Sequence, residues 1–399
     1  LPLQHMIKIT KLYNSELISG VLLVGSFIAA IFVANIQPLQ EIYKSFVFYP
    51  ITFGYGQFIY TSPFIQIVND GLMTLFFLLI GLELKFHLAC GEFQDRKTLI
   101  LPSAAAIGGV VIPALVYWFF NFNSPDTIKG WAITIATDTA FMLGILCFFG
   151  EFISNKLRAF IIGFSLIDDT IALLILAIFY TTSASFIAMA ASVVLITLLF
   201  ILNRLKITSS FYYLSIGIFL WIAMVESGIH GTLCGVILAL AIPVEKNGQP
   251  NGSFHGLENV LRPLVHFVIL PLFAFINSGV SFDIFSVDIL TSPLALGIIL
   301  GLFIGKQLGI FLFSYAAVKL NYCSLPQNVS WLKFYGIGVL GGIGFTLSLF
   351  IGDLAFEASD PNYVMRISVI IGSLSSAIVG IVILVFFKKS TVTVVRDKN

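Results

Sequence analysis

A chain of 399 residues that is 58% hydrophobic and only 10% charged stands far from the roughly 25% charge of a soluble domain, so composition excludes a soluble globular protein. The net charge of +1 offers no electrostatic footprint for nucleic acid, which is not expected as a partner. Cys90, Cys147, Cys234 and Cys323 are scattered, with no CxxC pair and no Cys/His cluster, which argues against a disulfide framework and a structural metal site. What remains is an all-α polytopic membrane protein, read as a single transmembrane domain over residues 1–399. Helices are expected because a segment crossing hydrocarbon must satisfy its own backbone polar groups.

Twelve apolar segments follow one another, at about 17–35, 63–85, 98–120, 131–149, 158–180, 184–202, 210–225, 228–243, 262–281, 294–318, 332–352 and 365–387. The seventh and eighth are short against the roughly 20 residues of a straight crossing. The first follows Lys8 and Lys11 and is read as a retained span rather than a cleaved leader, because it is long and many more follow. Between the first and second, Ser45–Ser62 places β-branched and aromatic residues around Gly-Tyr-Gly, the pattern of a β-hairpin. With the N-terminus in the cytoplasm and alternating crossings, 17 of the 21 basic residues fall on the cytoplasmic side, and only Lys44, Lys129 and Arg366 fall outside. That asymmetry matches the positive-inside rule and predicts both termini inside.

Four charges lie deep within these segments. Asp138 is in the fourth, Asp168 and Asp169 are in the fifth, and Lys306 is in the tenth. A carboxylate at the bilayer centre costs about 2.5–3.5 kcal/mol on insertion scales, so two in a row mark a site for a proton or a cation. Neighbours on a helix point about 100° apart. One aspartate is therefore expected toward a wet route and the other against a neighbouring helix, and the sequence leaves open which. The fourth segment also carries a polar knot, Thr137-Asp138-Thr139, and the eleventh carries Gly341, Gly342 and Gly344 in LGGIGFTLSLFIG. Corresponding interruptions in two halves point to inverted repeats. Gly344 follows Asp138 by 206 residues, and the same offset aligns spans 3–5 with spans 10–12. If both helices break, like ends face each other. Asp138 then suits two facing N-terminal ends and Lys306 two facing C-terminal ends; direct ion handling by both residues is the equally open alternative.

The motifs ATDTAF (Ala136–Phe141), LIDD (Leu166–Asp169), IGKQLGI (Ile304–Ile310) and GGIGFTLSLFI (Gly341–Ile351), with NDGLMTLFFLLIGLELK (Asn69–Lys85) and LPLFAFINSGV (Leu270–Val280), resemble the NhaA family of bacterial sodium/proton antiporters. The resemblance covers nearly the whole chain, and the family is itself a type case of inverted-repeat transporters. It implies twelve helices, with the fourth and eleventh unwound and crossing in mid-membrane. It implies electrogenic, pH-dependent export of Na⁺ or Li⁺ against protons, for sodium and pH homeostasis, in a bacterial inner membrane. The transported ions are Na⁺ or Li⁺ and H⁺, with no cofactor and no enzymatic reaction. The implied partners are membrane lipid and a second copy, in a homodimer joined partly by the outer hairpin. On the motif, Asp169 corresponds to the principal ion-binding carboxylate and Asp168 to its partner, able to pair with Lys306. Asp138 stands at the helix crossing with Thr137 beside it. Glu83, Glu258 and His230 match positions that make them pH-response candidates, although His230 and His87 also read as plain interfacial histidines. Phe86, His87, Asn259 and Arg262 replace charged or histidine residues of well-known members, so the pH dependence is expected to be shifted or flattened.

The chemistry is consistent with that resemblance. Na⁺ is a hard cation that takes oxygen ligands, and a buried carboxylate site can hold either a proton or Na⁺. An empty, doubly charged site resists reorientation because charge in hydrocarbon is costly. Exchange follows from that competition alone. An intramembrane aspartyl protease needs aspartates on two facing helices, and adjacent ones cannot form that dyad. A passive channel needs rings or filter loops, and neither is visible. A sodium-coupled solute symporter of similar broken-helix architecture is the runner-up, and it needs a midplane pocket for an organic substrate.

Overall fold

The computed structural model describes residues 2–55, 58–89, 96–180, 185–246, 249–250, 252–283, 285–327, 329–356 and 361–396. Cys90 lies outside the described residues, as do Gly56 and Gln57 at the tip of the outer loop. Every one of the twelve apolar segments is helical. Eight are long: Leu17–Ala34, Phe64–Ala89, Thr98–Asn121, Lys156–Phe179, Phe186–Arg204, Gly252–Asn277, Pro293–Lys319 and Asn362–Lys388. The seventh and eighth are shorter, Ser210–Glu226 and Leu233–Ala241. The fourth is broken between Pro125–Thr134 and Thr139–Cys147, bent by 40°, and the eleventh between Trp331–Leu340 and Phe345–Ala355, bent by 44°. Large apolar side chains such as Ile187, 82% exposed, cover the outside of these helices, as a hydrocarbon solvent requires.

Two elements depart from the sequence expectation. The ninth helix starts at Gly252 rather than near 262, because its first turns are amphipathic, with Phe254 and Leu261 buried, and a mean hydropathy averages such a stripe away. A helix over Gln37–Val47, with a proline in its first turn and Tyr43 and Val47 buried, precedes the outer loop. The loop itself forms the expected antiparallel hairpin, Pro50–Tyr55 against Phe58–Pro63, with Ile51 opposite Ser62. The Thr52 and Thr61 hydroxyls meet across it at 3.1 Å.

The chain forms two compact units. One comprises Leu1–Ile28, Asp95–Ala172 and Val280–Asn399, and therefore holds spans 3–5 and 10–12. Its closest packing is the crossing of the third and tenth spans. A Cβ added at Gly108 would meet the Gly309 carbonyl, and one at Gly309 would meet the Gly108 carbonyl. Small residues permit this backbone approach where helices in lipid gain by packing rather than by the hydrophobic effect. The other unit comprises Ala29–Gln94 and Leu173–Gly279. In it the second span packs on the eighth helix, where a Cβ at Gly235 would strike the Thr74 carbonyl. Lys85 donates to the carbonyls of Leu240 at 2.6 Å and Ile242 at 2.5 Å, closing the C-terminal end of that helix. Asn69 and Asn277 exchange two amide hydrogen bonds, at 3.2 and 2.9 Å.

Gly108→Ala has nowhere to put its methyl except into backbone. It is expected to cost about 1–3 kcal/mol, the range for overpacked cores, and to lower the thermal unfolding temperature in detergent. Gly25→Ala, with open space around it, serves as the control that should not.

Candidate functional site

Breaking a helix inside hydrocarbon exposes N–H groups at one end and carbonyls at the other, and each must find a partner. In the first unit the two breaks supply partners for each other. Asp138 is extended, at φ −86° and ψ 93°, and its short carboxylate competes with the helical backbone for donors. Oδ1 accepts from Phe141 N at 3.0 Å, at the start of its own second half-helix. Oδ2 accepts from Thr346 N at 3.1 Å and from Thr346 Oγ1 at 2.7 Å, at the start of the other. One carboxylate thus caps two N-termini. Ser373 Oγ accepts from Gly344 N and Phe345 N at 3.3 and 3.1 Å. At the carbonyl ends, Thr137 Oγ1 donates to Gly341 O at 3.0 Å and Ser348 Oγ to Ile133 O at 2.6 Å, while Lys306 Nζ donates to Ile135 O. The two breaks are also tied directly, Asp138 N donating to Ile343 O at 2.6 Å.

The glycines of the eleventh span act through space rather than through special dihedral angles. Gly344 has φ −91°, open to any residue. A Cβ there would meet the Ser348 hydroxyl and, at 3.1 Å, the Ala136 carbonyl, and one at Gly342 would meet the Leu302 carbonyl and Ser376.

The fifth span, Asn155–Phe179, buries one stripe at helical spacing: Ile161, Phe164, Ser165, Asp168, Asp169, Ala172 and Leu176. Asp168 is fully buried and Asp169 is 5% exposed. Lys306, also fully buried, sits with Nζ 3.0 and 2.8 Å from the two oxygens of Asp168. The Thr137 hydroxyl lies near enough to stabilise the Asp168 charge, and the Asp169 carboxylate acts on Lys306 through space. Asp168 is therefore the aspartate turned to a neighbouring helix. Lys306 begins the regular helix after a wide turn at Gly301–Gly305, a distortion common at functional sites. Gln307 Nε2 donates to the Phe303 carbonyl of that turn, and Tyr335 Oη donates to Gln307 Oε1 at 2.5 Å. Opposite the lysine, Gly109 leaves room for its tip; a Cβ there would lie 3.4 Å from Lys306 Cε.

Thr137, Asp138, Asp168, Asp169, Lys306 and the three glycines are thus gathered at one place. Sequence reasoning passed over Thr346, Ser348, Ser373 and Gly109. The hydroxyls just after the glycine run were the available signal for the first two, since Ser and Thr favour helix starts. In the second unit, Arg262 Nη2 lies 2.6 Å from Glu258 and 3.0 Å from Glu83, and His255 is 3.4 Å from Glu258. The structure brings those two pH-response candidates together through Arg262, which sequence reasoning treated only as a departure. The i, i+4 spacing of Glu258 and Arg262 was its signal. His230 lies in the turn before the eighth helix, its carbonyl accepting from Leu233 N at 3.1 Å, and makes no ion pair among the described residues.

Two half-helix pairs crossing inside the membrane, with buried carboxylates and an ammonium beside them, define a secondary transporter of the broken-helix class. Residues 10–384 match the family described as Na⁺/H⁺ antiporter 1. The chain is 55% identical over 381 residues to the Na⁺/H⁺ antiporter NhaA of Rickettsia massiliae (strain Mtu5), covering 94% of each chain. It is 43% identical over 367 residues to the Na⁺/H⁺ antiporter NhaA 1 of Syntrophotalea carbinolica, covering 92% of each. A solved sodium proton antiporter, MjNhaP1 of Methanocaldococcus jannaschii, aligns over 92% of this chain and 96% of its own at 14% identity, with a TM-score of 0.46. The chain belongs to the Na⁺/H⁺ antiporter 1 family.

Asp138→Ala leaves Phe141 N and the Thr346 donors buried without an acceptor. It is expected to cost about 3 kcal/mol from the lost caps and unanswered donors, and Asp138→Asn, which keeps one acceptor oxygen, less; thermal unfolding of the purified variants ranks them. Lys306→Met strands the Asp168 charge in a dry site, a loss of about 3–5 kcal/mol for a broken buried pair. Adding Asp168→Asn to it should restore most of that stability, and a double variant no more stable than the single one would contradict this account.

Proposed function

We propose that this chain exports Na⁺ or Li⁺ from the cytoplasm in exchange for protons, with Asp169 and Asp168 as the shared binding site. The observation that carries this reading is the burial of both aspartates beside the crossing, with Asp168 paired to the buried Lys306. Charge in hydrocarbon is costly, so the site is comfortable only when protons or a cation neutralise it. Protonation makes the carboxyls neutral donors; deprotonation makes them oxygen ligands for a hard cation. A cation that engages Asp168 competes with the Lys306 ammonium, so that pair must open. Protons from Asp169 and from Asp168 or Lys306 then leave as the cation enters, and more than one proton moves per cation, making the exchange electrogenic.

The relatives at 55% and 43% identity are named antiporters, which favours this reading over a solute symporter. The distribution of basic residues supports both termini in the cytoplasm of a cell with its inner membrane as the site. The outer hairpin is the segment we assign to homodimer contact, and Glu83 and Glu258, gathered on Arg262, with His230 the residues we assign to the pH response.

Everted vesicles holding a proton gradient give the test. Addition of Na⁺ or Li⁺ should collapse the gradient for wild type, more strongly as the medium becomes alkaline, since deprotonation frees the carboxylates; acidification should suppress it. Asp169→Asn should abolish the response at every pH. A sodium response that survives unchanged in this variant would remove Asp169 from the site.

A further inference from the structure

We propose that Ser165 is a ligand of the transported cation, its hydroxyl oxygen completing the set begun by Asp168 and Asp169. The inference rests on the antiport reading above and adds to it a neutral ligand. At about 100° per residue, Asp168 falls about 60° to one side of Ser165 and Asp169 about 40° to the other, one turn along the same helix. Ser165 therefore lies below the gap between the two carboxylates.

Its burial is 99% complete, with 1% exposed, and Oγ makes no hydrogen bond among the described residues. A buried serine or threonine in a helix normally bonds the carbonyl four residues back. Several residues of this chain follow that habit: Ser192 donates to Ala188 O at 2.9 Å, Ser368 to Val364 O at 2.7 Å, and Thr170, on the same helix as Ser165, to Leu166 O at 2.6 Å, whereas Ser314 and Ser376 do not. Nor does Ser165. Of the buried hydroxyls unpaired among the described residues, Ser165 alone shares a helix face with the two aspartates. A buried polar atom left this way calls for a partner, and a bound ion or water is a standard one.

The chemistry of the cargo fits. Two carboxylates supply the charge that a monovalent cation needs, and its remaining ligands can be neutral oxygens. Along the stripe, the residues on the far side of the aspartates are Ala172, Leu173 and Leu176, all buried and apolar. The Thr170 hydroxyl on that side is already bonded to the Leu166 carbonyl, so Ser165 is the hydroxyl of this helix left to meet the ion.

Initial rates in everted vesicles, as a function of Na⁺ and of Li⁺ at alkaline pH, test this with Ser165→Ala, Ser165→Cys and Ser165→Thr. Ala and Cys, which remove the oxygen or replace it with soft sulfur, are expected to raise the apparent KM about tenfold, or about 1.4 kcal/mol, far more than they lower Vmax. Thr, which keeps the hydroxyl, should recover most of the affinity. If the alanine variant fails to assemble, the near-isosteric cysteine variant decides. A wild-type KM in either variant overturns the proposal and leaves antiport standing, whereas a wild type indifferent to both cations brings down the antiport reading and this inference together.

Discussion

The rest of this structure depends on how a helix interrupted in hydrocarbon satisfies its ends. Water cannot do it in hydrocarbon, and the residues around both breaks are buried. The chain solves the problem by bringing two interruptions together, so that each supplies what the other lacks. Asp138 from the first break answers donors on both sides, Thr137 answers a carbonyl of the second, and Ser348 from the second answers a carbonyl of the first. Neither break would be tolerable alone. The glycines belong to the same solution, because a methyl group at Gly342 would collide with the Leu302 carbonyl of the tenth span and one at Gly344 would strike the Ser348 hydroxyl and crowd the Ala136 carbonyl of the other break.

Charge follows from that geometry. Each helix end carries roughly half an elementary charge. Two N-terminal ends against Asp138 come close to neutral. Lys306 meets a C-terminal carbonyl at Ile135 and the carboxylate of Asp168 at the same time, so its single positive charge serves two negative neighbours. The carboxylates at 168 and 169 share that ammonium, Asp168 paired to it directly and Asp169 acting on it through space. A buried ion pair is weak evidence for stability in itself. Its value, on the proposed assignment, is that protons or a cation can compete with the ammonium for the same carboxylates.

Much of this was legible in the sequence. Twelve apolar runs are a strong signal because hydrocarbon demands them, and the TDT knot, the glycine cluster and four intramembrane charges because each runs against the cost of polarity or of a broken helix in lipid. What escaped reading has a common cause. Thr346, Ser348 and Ser373 look like neutral members of apolar helices until a broken end from a segment far away in sequence arrives beside them. The early start of the ninth helix was hidden because its amphipathic turns lower the mean hydropathy. The division of labour between Asp168 and Asp169 could not be read at all: helical geometry says that they diverge, but only the position of the tenth span says that Asp168 is the one Lys306 meets.

The arrangement also explains why the site sits on a regular helix rather than in the broken strands themselves. The carbonyls of Gly341, Ile133 and Ile135 at the helix ends are taken by Thr137, Ser348 and Lys306, and freeing them would undo the contacts that hold the crossing together. A carboxylate on the intact fifth span can change its partner without disturbing any backbone hydrogen bond, since side-chain rotation is all that is required. The crossing therefore supplies a polar, fixed wall in mid-membrane, and the fifth span supplies the groups that titrate against it. On the proposed assignment, separating the rigid part from the exchanging part would let protons and cations alternate at the aspartates while the broken helices stay capped.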